Sequence, residues 1–206
     1  MSNLTLAAGR PTLADRFFAR SIVTDTLLVV AGAALTAGAA QLAIPMWPVP
    51  ITGQTFAVLF VGTVLGATRG GISLGLYALL GLVGLPVYSG SASGWSVLAG
   101  PTGGYIIGFV LAAILTGWLA QRQWDRRFVG TLVSFLAGSF VIYAVALPWL
   151  AISLGRLGAP NDLSSVLKGG LYPFILGDTI KALIAAALVP LVWKVTKPRS
   201  KSAIKR

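Results

Sequence analysis

Residues 172–195 have the sequence YPFILGDTIKALIAAALVPLVWKV, a run of apolar residues interrupted by only three charges. A helix of this length rises roughly 36 Å, which is enough to cross the roughly 30 Å hydrocarbon core of a bilayer. The three charges are Asp178, Lys181 and Lys194. The stretch therefore predicts a membrane-spanning helix that carries two ionisable groups well inside its length.

The rest of the chain has the same apolar character. Hydrophobic residues make up 56% of the sequence and charged residues only 10%, and the mean hydropathy is +0.84. A soluble domain of this length could not hide so much apolar surface. Five further apolar segments lie at approximately 24–44, 52–68, 71–86, 103–121 and 129–155. We therefore predict an all-α membrane protein, a single membrane domain over residues 1–206 with six transmembrane helices.

The basic residues predict the orientation of these helices. Sixteen Lys and Arg oppose five Asp, and thirteen of the sixteen fall before the first segment, in the second and fourth loops, or from the inner end of the sixth segment (Lys194) onward. The outer loops hold only Arg156 and Lys168. By the positive-inside rule we expect both termini in the cytoplasm, with the protein as a multi-pass protein of the plasma membrane. Because topology explains the charge, we expect no nucleic-acid partner.

The composition also excludes several kinds of chemistry. The chain has no Cys and no His, so we expect no metal site, no cofactor and no His- or Cys-based catalysis. The glycine-rich stretch 100–104 lacks the Lys and Ser or Thr of a phosphate-binding loop. A Ser–Lys catalytic pair is not predicted either, because no Ser shares a helical face with Lys181. We do not expect an enzyme.

Asp178 and Lys181 are the strongest candidates for a binding site. A spacing of three residues places both on one side of a helix, one to two turns from its outer end. Ionisable groups inside a membrane normally face the protein interior or a water-filled cavity. Lys181 could hold a ligand carboxylate, and Asp178 could accept hydrogen bonds from N–H groups. The alternatives are a structural ion pair and a lysine that snorkels to the surface.

Weaker signals surround this pair. Gln54 and Thr55 begin the second segment at its outer end, where they could cap the helix or line a pocket. Tyr105 and Trp95 are typical of aromatic residues at a membrane interface. Asp25, at the cytoplasmic start of the first segment, is expected to be an N-terminal helix charge.

Small residues recur at a four-residue spacing in the first segment, which lets helices approach closely. Two pairs compete for this role, Ala33 with Ala37 and Ala39 with Ala43. Ala is so abundant in this chain that either pair could arise by chance.

Six stretches resemble one known family. They are AQLAIP (40–45), VPITGQTF (49–56), GLPVY (84–88), GPTGGY (100–105), IY…WL (142–150) and PFILGDTIKA (173–182). Together they resemble the BioY family, the biotin-specific substrate-binding subunits (S components) of energy-coupling factor (ECF) transporters. The fourth and sixth stretches are the most specific, and the resemblance extends over nearly all six segments in order.

The resemblance implies a six-helix S-component bundle that binds biotin near its outer face, in a pocket formed by the last three segments and outer loops. Asp178 and Lys181 match the family's charged pair, with Tyr105, Tyr143, Gln54 and Trp95 as further substrate contacts. The first-helix small-residue motif, assigned here to Ala33 and Ala37, implies contact with a coupling transmembrane subunit that works with two ATPase subunits. In loop 89–95, Ser residues replace an amide side chain that family members could offer to the ligand, so contacts from Ser91 and Ser93 are in doubt.

The expected function is therefore high-affinity binding and uptake of biotin from outside the cell, by a protein embedded in lipid. Two alternatives remain open within transport: an S component for another vitamin, and a solitary or secondary transporter of biotin. Ion-coupled carriers usually carry ionisable residues in several helices, whereas only Asp178 and Lys181 qualify here.

Overall fold

The computed structural model describes residue 6 and residues 9–196, and over this part of the chain the protein is a helical bundle. Its α-helices are α1 (Ile22–Gln41), α2 (Gln54–Leu65), α3 (Ala67–Leu82), α4 (Trp95–Ala99), α5 (Gly103–Gln121), α6 (Phe128–Arg156), α7 (Leu163–Gly170) and α8 (Tyr172–Val195). Two short strands, β1 (Ala43–Ile44) and β2 (Ile51–Thr52), form an antiparallel hairpin between α1 and α2. The basic tail predicted from Lys197 onward lies outside the described residues.

Four of these helices, α1, α5, α6 and α8, are long and apolar enough to cross a membrane. The predicted segments 103–121 and 172–195 coincide with α5 and α8. The predictions of 52–68 and 71–86 were wrong at their boundaries, because α2 ends at Leu65 and α3 already begins at Ala67. Gly66 separates them with φ +86°, a backbone conformation that L side chains rarely adopt, so the chain turns there in one residue.

Helix α5 is the centre of the bundle and packs against α2, α3 and α6. Glycine allows its closest approaches. A Cβ at Gly62 of α2 would lie 2.4 Å from the carbonyl oxygen of Ala113, and one at Gly117 of α5 would lie 2.4 Å from the backbone nitrogen of Ala67. Backbones that come this close gain van der Waals contact, the main attraction available between helices in lipid.

The inner end of the bundle contains a buried ionic cluster. Arg69, in the first turn of α3, is 2% exposed. Its Nη1 lies 3.1 Å from Asp25 Oδ1, and its Nη2 lies 2.9 Å from Asp15 Oδ1. The same Nη2 donates to Thr12 Oγ1 at 2.9 Å. A fully desolvated guanidinium requires such partners, since an unpaired buried charge is very costly.

This cluster corrects one prediction from the sequence and extends another. Arg69 was counted among the basic residues of an inner loop, yet it lies inside α3 and is neutralised there. Asp25 lies in the first turn of α1, as predicted, and the structure also buries it completely beside Arg69. The N-terminal segment before α1 supplies the second carboxylate, so this segment is fixed to the bundle by charge.

Asp15 is also held by a second arginine. Burial alone would raise the pKa of Asp15, but hydrogen bonds from Arg20 and Thr12 and the charge of Arg69 outweigh it and lower the pKa below the usual value. The Arg20 Nη2–Asp15 Oδ2 distance is 2.9 Å. Asp15 therefore stays ionised at neutral pH, as the ionic cluster requires.

The face of α1 that carries Ala33 and Ala37 packs inside the bundle, whereas it was predicted to contact another subunit. Ala33 is 2% exposed and belongs to the core, and Ala37 packs partly buried against the same core. Ala33 therefore offers almost no surface for the contact with another subunit that was expected of it, since its side chain faces the interior. The reason is helical phase: Gly32 lies against Ser73 of α3, where an added Cβ would come within 2.7 Å of Ser73 Oγ. The exposed face of α1 instead carries Val30, Ala34 and Gly38.

Replacing Arg69 should destabilise the fold strongly. Arg69→Met leaves Asp15 and Asp25 without their shared cation, a change that typically costs about 3–5 kcal/mol for a buried pair. We expect a clear drop in the apparent melting temperature of the detergent-solubilised protein. The matched control is Arg127→Met, because Arg127 is exposed. Equal melting temperatures for the two variants would show that the cluster does not hold the fold.

Candidate functional site

A cavity of about 240 Å³ lies at the opposite end of the bundle from the Arg69 cluster. It is enclosed by the β1–β2 hairpin, by α2, α3, α5, α6 and α8, and by the loop that carries α4. The residues that line it are Val49, Pro50, Thr52, Gln54, Thr55, Tyr77, Tyr88, Ser89, Ala92, Ser96, Val97, Gly100, Pro101, Thr102, Tyr105, Ile106, Phe109, Tyr143 and Phe174. None of these side chains is charged, and many are aromatic.

One wall of the cavity is a group of three aromatic rings. The Tyr105 and Tyr143 rings meet edge to face with centroids 6.2 Å apart. Phe174 lies 6.2 Å from Tyr105 and 6.3 Å from Tyr143. Rings in this geometry attract one another beyond simple area burial and hold each other in place. The wall is therefore a rigid apolar surface suited to a flat ring system.

Asp178 stands behind this wall and joins three helices. Its Oδ1 accepts hydrogen bonds from Thr55 Oγ1 of α2 at 2.8 Å and from Lys181 Nζ at 3.1 Å. Its Oδ2 accepts from Tyr143 Oη of α6 at 2.5 Å. The carboxylate is 8% exposed, so these charge-assisted bonds replace the water that it would otherwise need. Thr55 and Tyr143 are thereby fixed in the cavity lining.

Lys181 approaches the cavity from the same side. Its Nζ donates to the Thr52 carbonyl oxygen at 3.0 Å and to Thr55 Oγ1 at 2.8 Å, besides its bond to Asp178. The Lys181 side chain is 24% exposed. Thr52 and Thr55 both line the cavity, so the ammonium group lies one residue behind the cavity surface.

The cavity lining also contains two tyrosines that were not predicted from the sequence as site residues. Tyr77 of α3 and Tyr88 of the following loop meet edge to face at 5.5 Å. The Tyr77 hydroxyl accepts a hydrogen bond from Gln54 Nε2 at 2.6 Å, which leaves its proton available to a ligand. Tyr88 rests on Gly81, where an added Cβ would lie 2.1 Å from its Cζ atom. The resemblance motif GLPVY ends at Tyr88, and that was the signal that could have identified it.

The predicted site residues fall into three groups. Gln54, Tyr105 and Tyr143 line the cavity, and Asp178 with Lys181 lies directly behind its lining. Trp95 lies elsewhere.

Trp95 was expected among the substrate contacts, and the structure corrects its placement. The side chain is 70% exposed at the start of α4 and is not part of the cavity lining. The backbone puts it there, because α4 turns Ser96 and Val97 toward the cavity and leaves Trp95 outside. From the preceding turn, Ser89 lines the cavity, whereas Ser91 hydrogen-bonds to Gln41 of α1.

The groups that line the cavity are suited to binding a small ligand. Within the described part of the chain there is no group of carboxylates that could hold a metal ion. The lining combines aromatic rings with hydroxyl and amide groups, backed by one Asp–Lys pair. Such a cavity suits a small amphiphilic ligand with a flat ring and an anionic group.

The fold and the cavity together define a class, that of multi-pass membrane proteins that bind a small molecule between their helices. The BioY family model matches residues 10–198, and the chain belongs to the BioY family. A relative from Thermotoga maritima named biotin transporter BioY is 39% identical over 82% of this chain and 90% of its own length. A second, from Rhizobium etli and of the same name, is 40% identical over 68% and 76%.

A solved structure shares the fold. It is described as the S-component for biotin from an ECF-type ABC transporter, and it is 29% identical with a TM-score of 0.72. The similarity covers 84% of this chain and 92% of that one. The architecture described above is therefore that of an ECF S component.

Adding one methyl group beneath Tyr88 should reshape the cavity. In Gly81→Ala the new Cβ collides with the Tyr88 ring, so the ring must move into the cavity or the loop must lift. We expect at least a tenfold loss of ligand affinity, the equivalent of about 1.4 kcal/mol, measured by titration calorimetry. Gly75→Ala is the matched control in the same helix, since nothing lies within 4 Å of its added Cβ. An affinity loss of the same size in the control would contradict the role of Gly81.

Proposed function

We propose that this protein is the high-affinity biotin-binding S component of an ECF-type transporter and takes up biotin from outside the cell. The observation that carries the proposal is the uncharged aromatic cavity backed by Asp178 and Lys181. Biotin has a flat ureido ring, a short aliphatic chain and one carboxylate. The aromatic rings and the hydroxyl and amide groups of the lining suit the ring and the chain, and Lys181 suits the carboxylate. Biotin is cargo here, and the function requires no cofactor and no catalysis.

The cavity lining supports one binding mode for biotin. The bicyclic ring would lie against Tyr105 and Tyr143, with the Gln54 and Tyr77 side chains within reach of its ureido group. Asp178 would act on this group through Tyr143 and Thr55, which it orients by hydrogen bonds of 2.5 and 2.8 Å. This changes the expectation from the sequence, in which Asp178 itself accepted hydrogen bonds from N–H groups of the ligand.

Lys181 would receive the carboxylate of biotin. Two of its three hydrogen bonds go to neutral oxygens, the Thr52 carbonyl and the Thr55 hydroxyl. A carboxylate carries a full negative charge and therefore attracts the ammonium group more strongly than a neutral oxygen does. A carboxylate that reaches the gap between Thr52 and Thr55 would therefore displace these contacts and compensate the positive charge.

The proposed topology has six crossings with both termini in the cytoplasm. In this topology the described Arg residues before α1 and between α5 and α6 would lie on the cytoplasmic side and Arg156 and Lys168 on the outer side, in agreement with the positive-inside rule. Helix α2 has only 12 residues and rises roughly 18 Å. The β1–β2 hairpin would complete this crossing, since non-helical backbone is tolerated at membrane depth where it lines a cavity.

Transport would depend on partner subunits. The resemblance implies a coupling membrane subunit and two ATPase subunits, because this sequence has no nucleotide-binding motif. The exposed face of α1 is the surface that we assign to the coupling subunit, in place of the buried Ala33.

Uptake that persists in a host without any coupling subunit would favour the alternative of a solitary transporter, and dependence of uptake on an ion gradient would favour a secondary transporter.

Lys181→Met tests the site most sharply. We expect it to weaken biotin binding by at least tenfold, because the ligand carboxylate would face an apolar side chain. The matched control is Lys168→Met, which removes an exposed lysine on the same side of the protein. Both purified variants are titrated with biotin and with biotin methyl ester, which lacks the negative charge of the carboxylate. The comparison separates the contribution of the ligand carboxylate to the affinity from that of the ring contacts.

Three results would contradict the proposal in different ways. Unchanged biotin affinity in Lys181→Met would exclude the carboxylate role while leaving the substrate intact. Equal weakening in Lys168→Met would show a general charge effect. If the protein bound another vitamin more tightly than biotin, it would be an S component for that vitamin.

A further inference from the structure

A second cavity, of about 280 Å³, opens near the inner end of the bundle. It lies between the N-terminal segment, α1, α2 and α8, and every residue that lines it is apolar. These residues are Leu13, Ala14, Phe17, Phe18, Leu28, Phe60, Val64, Leu188, Val189 and Val192. We call this surface the inner groove. Leu188 is 52% exposed and Phe17 58%, so the groove is open along one side.

The position of the groove places it at the depth of the inner leaflet. Val64 is the second-last residue of α2, and Val192 is three residues from the end of α8. Leu28 lies two turns from the start of α1. All three positions are near the helix ends that face the basic loops. The open side of the groove therefore meets acyl chains, and its inner end meets the headgroups.

Two arginines stand at this inner end, and both stack against one tryptophan ring. The guanidinium carbon of Arg16 lies 4.9 Å from the centre of the Trp193 ring, and that of Arg126 lies 4.6 Å from it. Arg16 belongs to the same segment as the groove residues Ala14 and Phe17, and Trp193 follows Val192. The cations and the groove are thus parts of one continuous surface.

The charge of this pair is only partly balanced by the protein. Among the described residues neither arginine forms a salt bridge, and the Arg126 Nε atom is buried without a hydrogen-bond partner. The nearby carboxylate is Asp125, which accepts from Trp193 Nε1 at 2.5 Å and is 1% exposed. Burial raises the pKa of Asp125 to about 6, against the opposing effect of that hydrogen bond. One shielded carboxylate therefore opposes two guanidinium groups.

We propose that the inner groove binds one anionic phospholipid, with an acyl chain between α1 and α8 and the phosphate against Arg16 and Arg126. An apolar groove with cations at its headgroup end complements such a lipid in both shape and charge. Arginine suits the phosphate because its planar donors bind two oxygens at once. The lipid would fill the gap between α1 and α8 and hold the N-terminal segment against the bundle.

Native mass spectrometry of the purified protein tests this site. The protein is titrated with phosphatidylglycerol and with phosphatidylcholine of the same acyl chains, and with glycerol phosphate as a headgroup without chains. We expect one phosphatidylglycerol molecule to bind at least tenfold more tightly than phosphatidylcholine, and glycerol phosphate to bind weakly. Arg16→Gln and Arg126→Gln should each lower the affinity for phosphatidylglycerol about fivefold.

Two further variants separate a lipid site from a general charge effect. Arg127→Gln removes an exposed arginine of the same loop and should bind the lipid as the parent does. Leu188→Trp keeps every charge but fills the groove, so it should also lose phosphatidylglycerol. Biotin binding by each variant reports whether the fold is intact. Equal affinity for both lipids, or a loss in Arg127→Gln as large as in Arg16→Gln, would overturn the proposal.

Discussion

A carboxylate placed inside a membrane-spanning helix must be satisfied by the protein, and Asp178 is satisfied by groups from three helices. Thr55 of α2, Tyr143 of α6 and Lys181 of α8 itself converge on its two oxygens. Thr55 and Asp178 are 123 residues apart in the chain. Because an unpaired charge in lipid is so costly, these bonds fix how α2, α6 and α8 approach one another, and the cavity forms where they meet.

The inner end of the bundle is held by the same kind of interaction. Arg69 is buried between Asp15 and Asp25, so the segment before α1 is drawn onto α3. Between these two polar centres the helices pack through apolar side chains and through close contacts at Gly62 and Gly117. The protein thus has an outer polar centre that shapes a binding cavity and an inner one that anchors the N-terminal segment.

Much of this could be predicted from the sequence, because helix length and hydropathy are local properties. The bounds of α5 and α8 followed from the apolar runs, and the i,i+3 spacing placed Asp178 and Lys181 on one face. The one-residue turn at Gly66 was hidden, because the apolar character of the chain continues through it. The burial of Arg69 was missed as well, since its partner Asp15 lies 54 residues away and no local pattern joins the two.

The phase of α1 and the placement of Trp95 illustrate the same limit. Spacing showed that Ala33 and Ala37 share a face, but only the contact with α3 decides that this face is internal. Trp95 was expected among the substrate contacts, whereas the fold places Tyr77 and Tyr88 in the cavity lining and leaves Trp95 outside it. Each of these depends on how distant elements pack, which the order of apolar and polar residues does not specify.

We propose that Asp178 organises the cavity for biotin and keeps its own hydrogen-bond partners when the ligand binds. A structure of the protein bound to biotin tests this most directly. We expect the bicyclic ring against Tyr105 and Tyr143 with Tyr77 near its ureido group, the carboxylate within hydrogen-bond distance of Lys181, and the Asp178 bonds to Thr55 and Tyr143 preserved. Biotin bound outside this cavity, or an Asp178 carboxylate that abandons Thr55 and Tyr143, would contradict it.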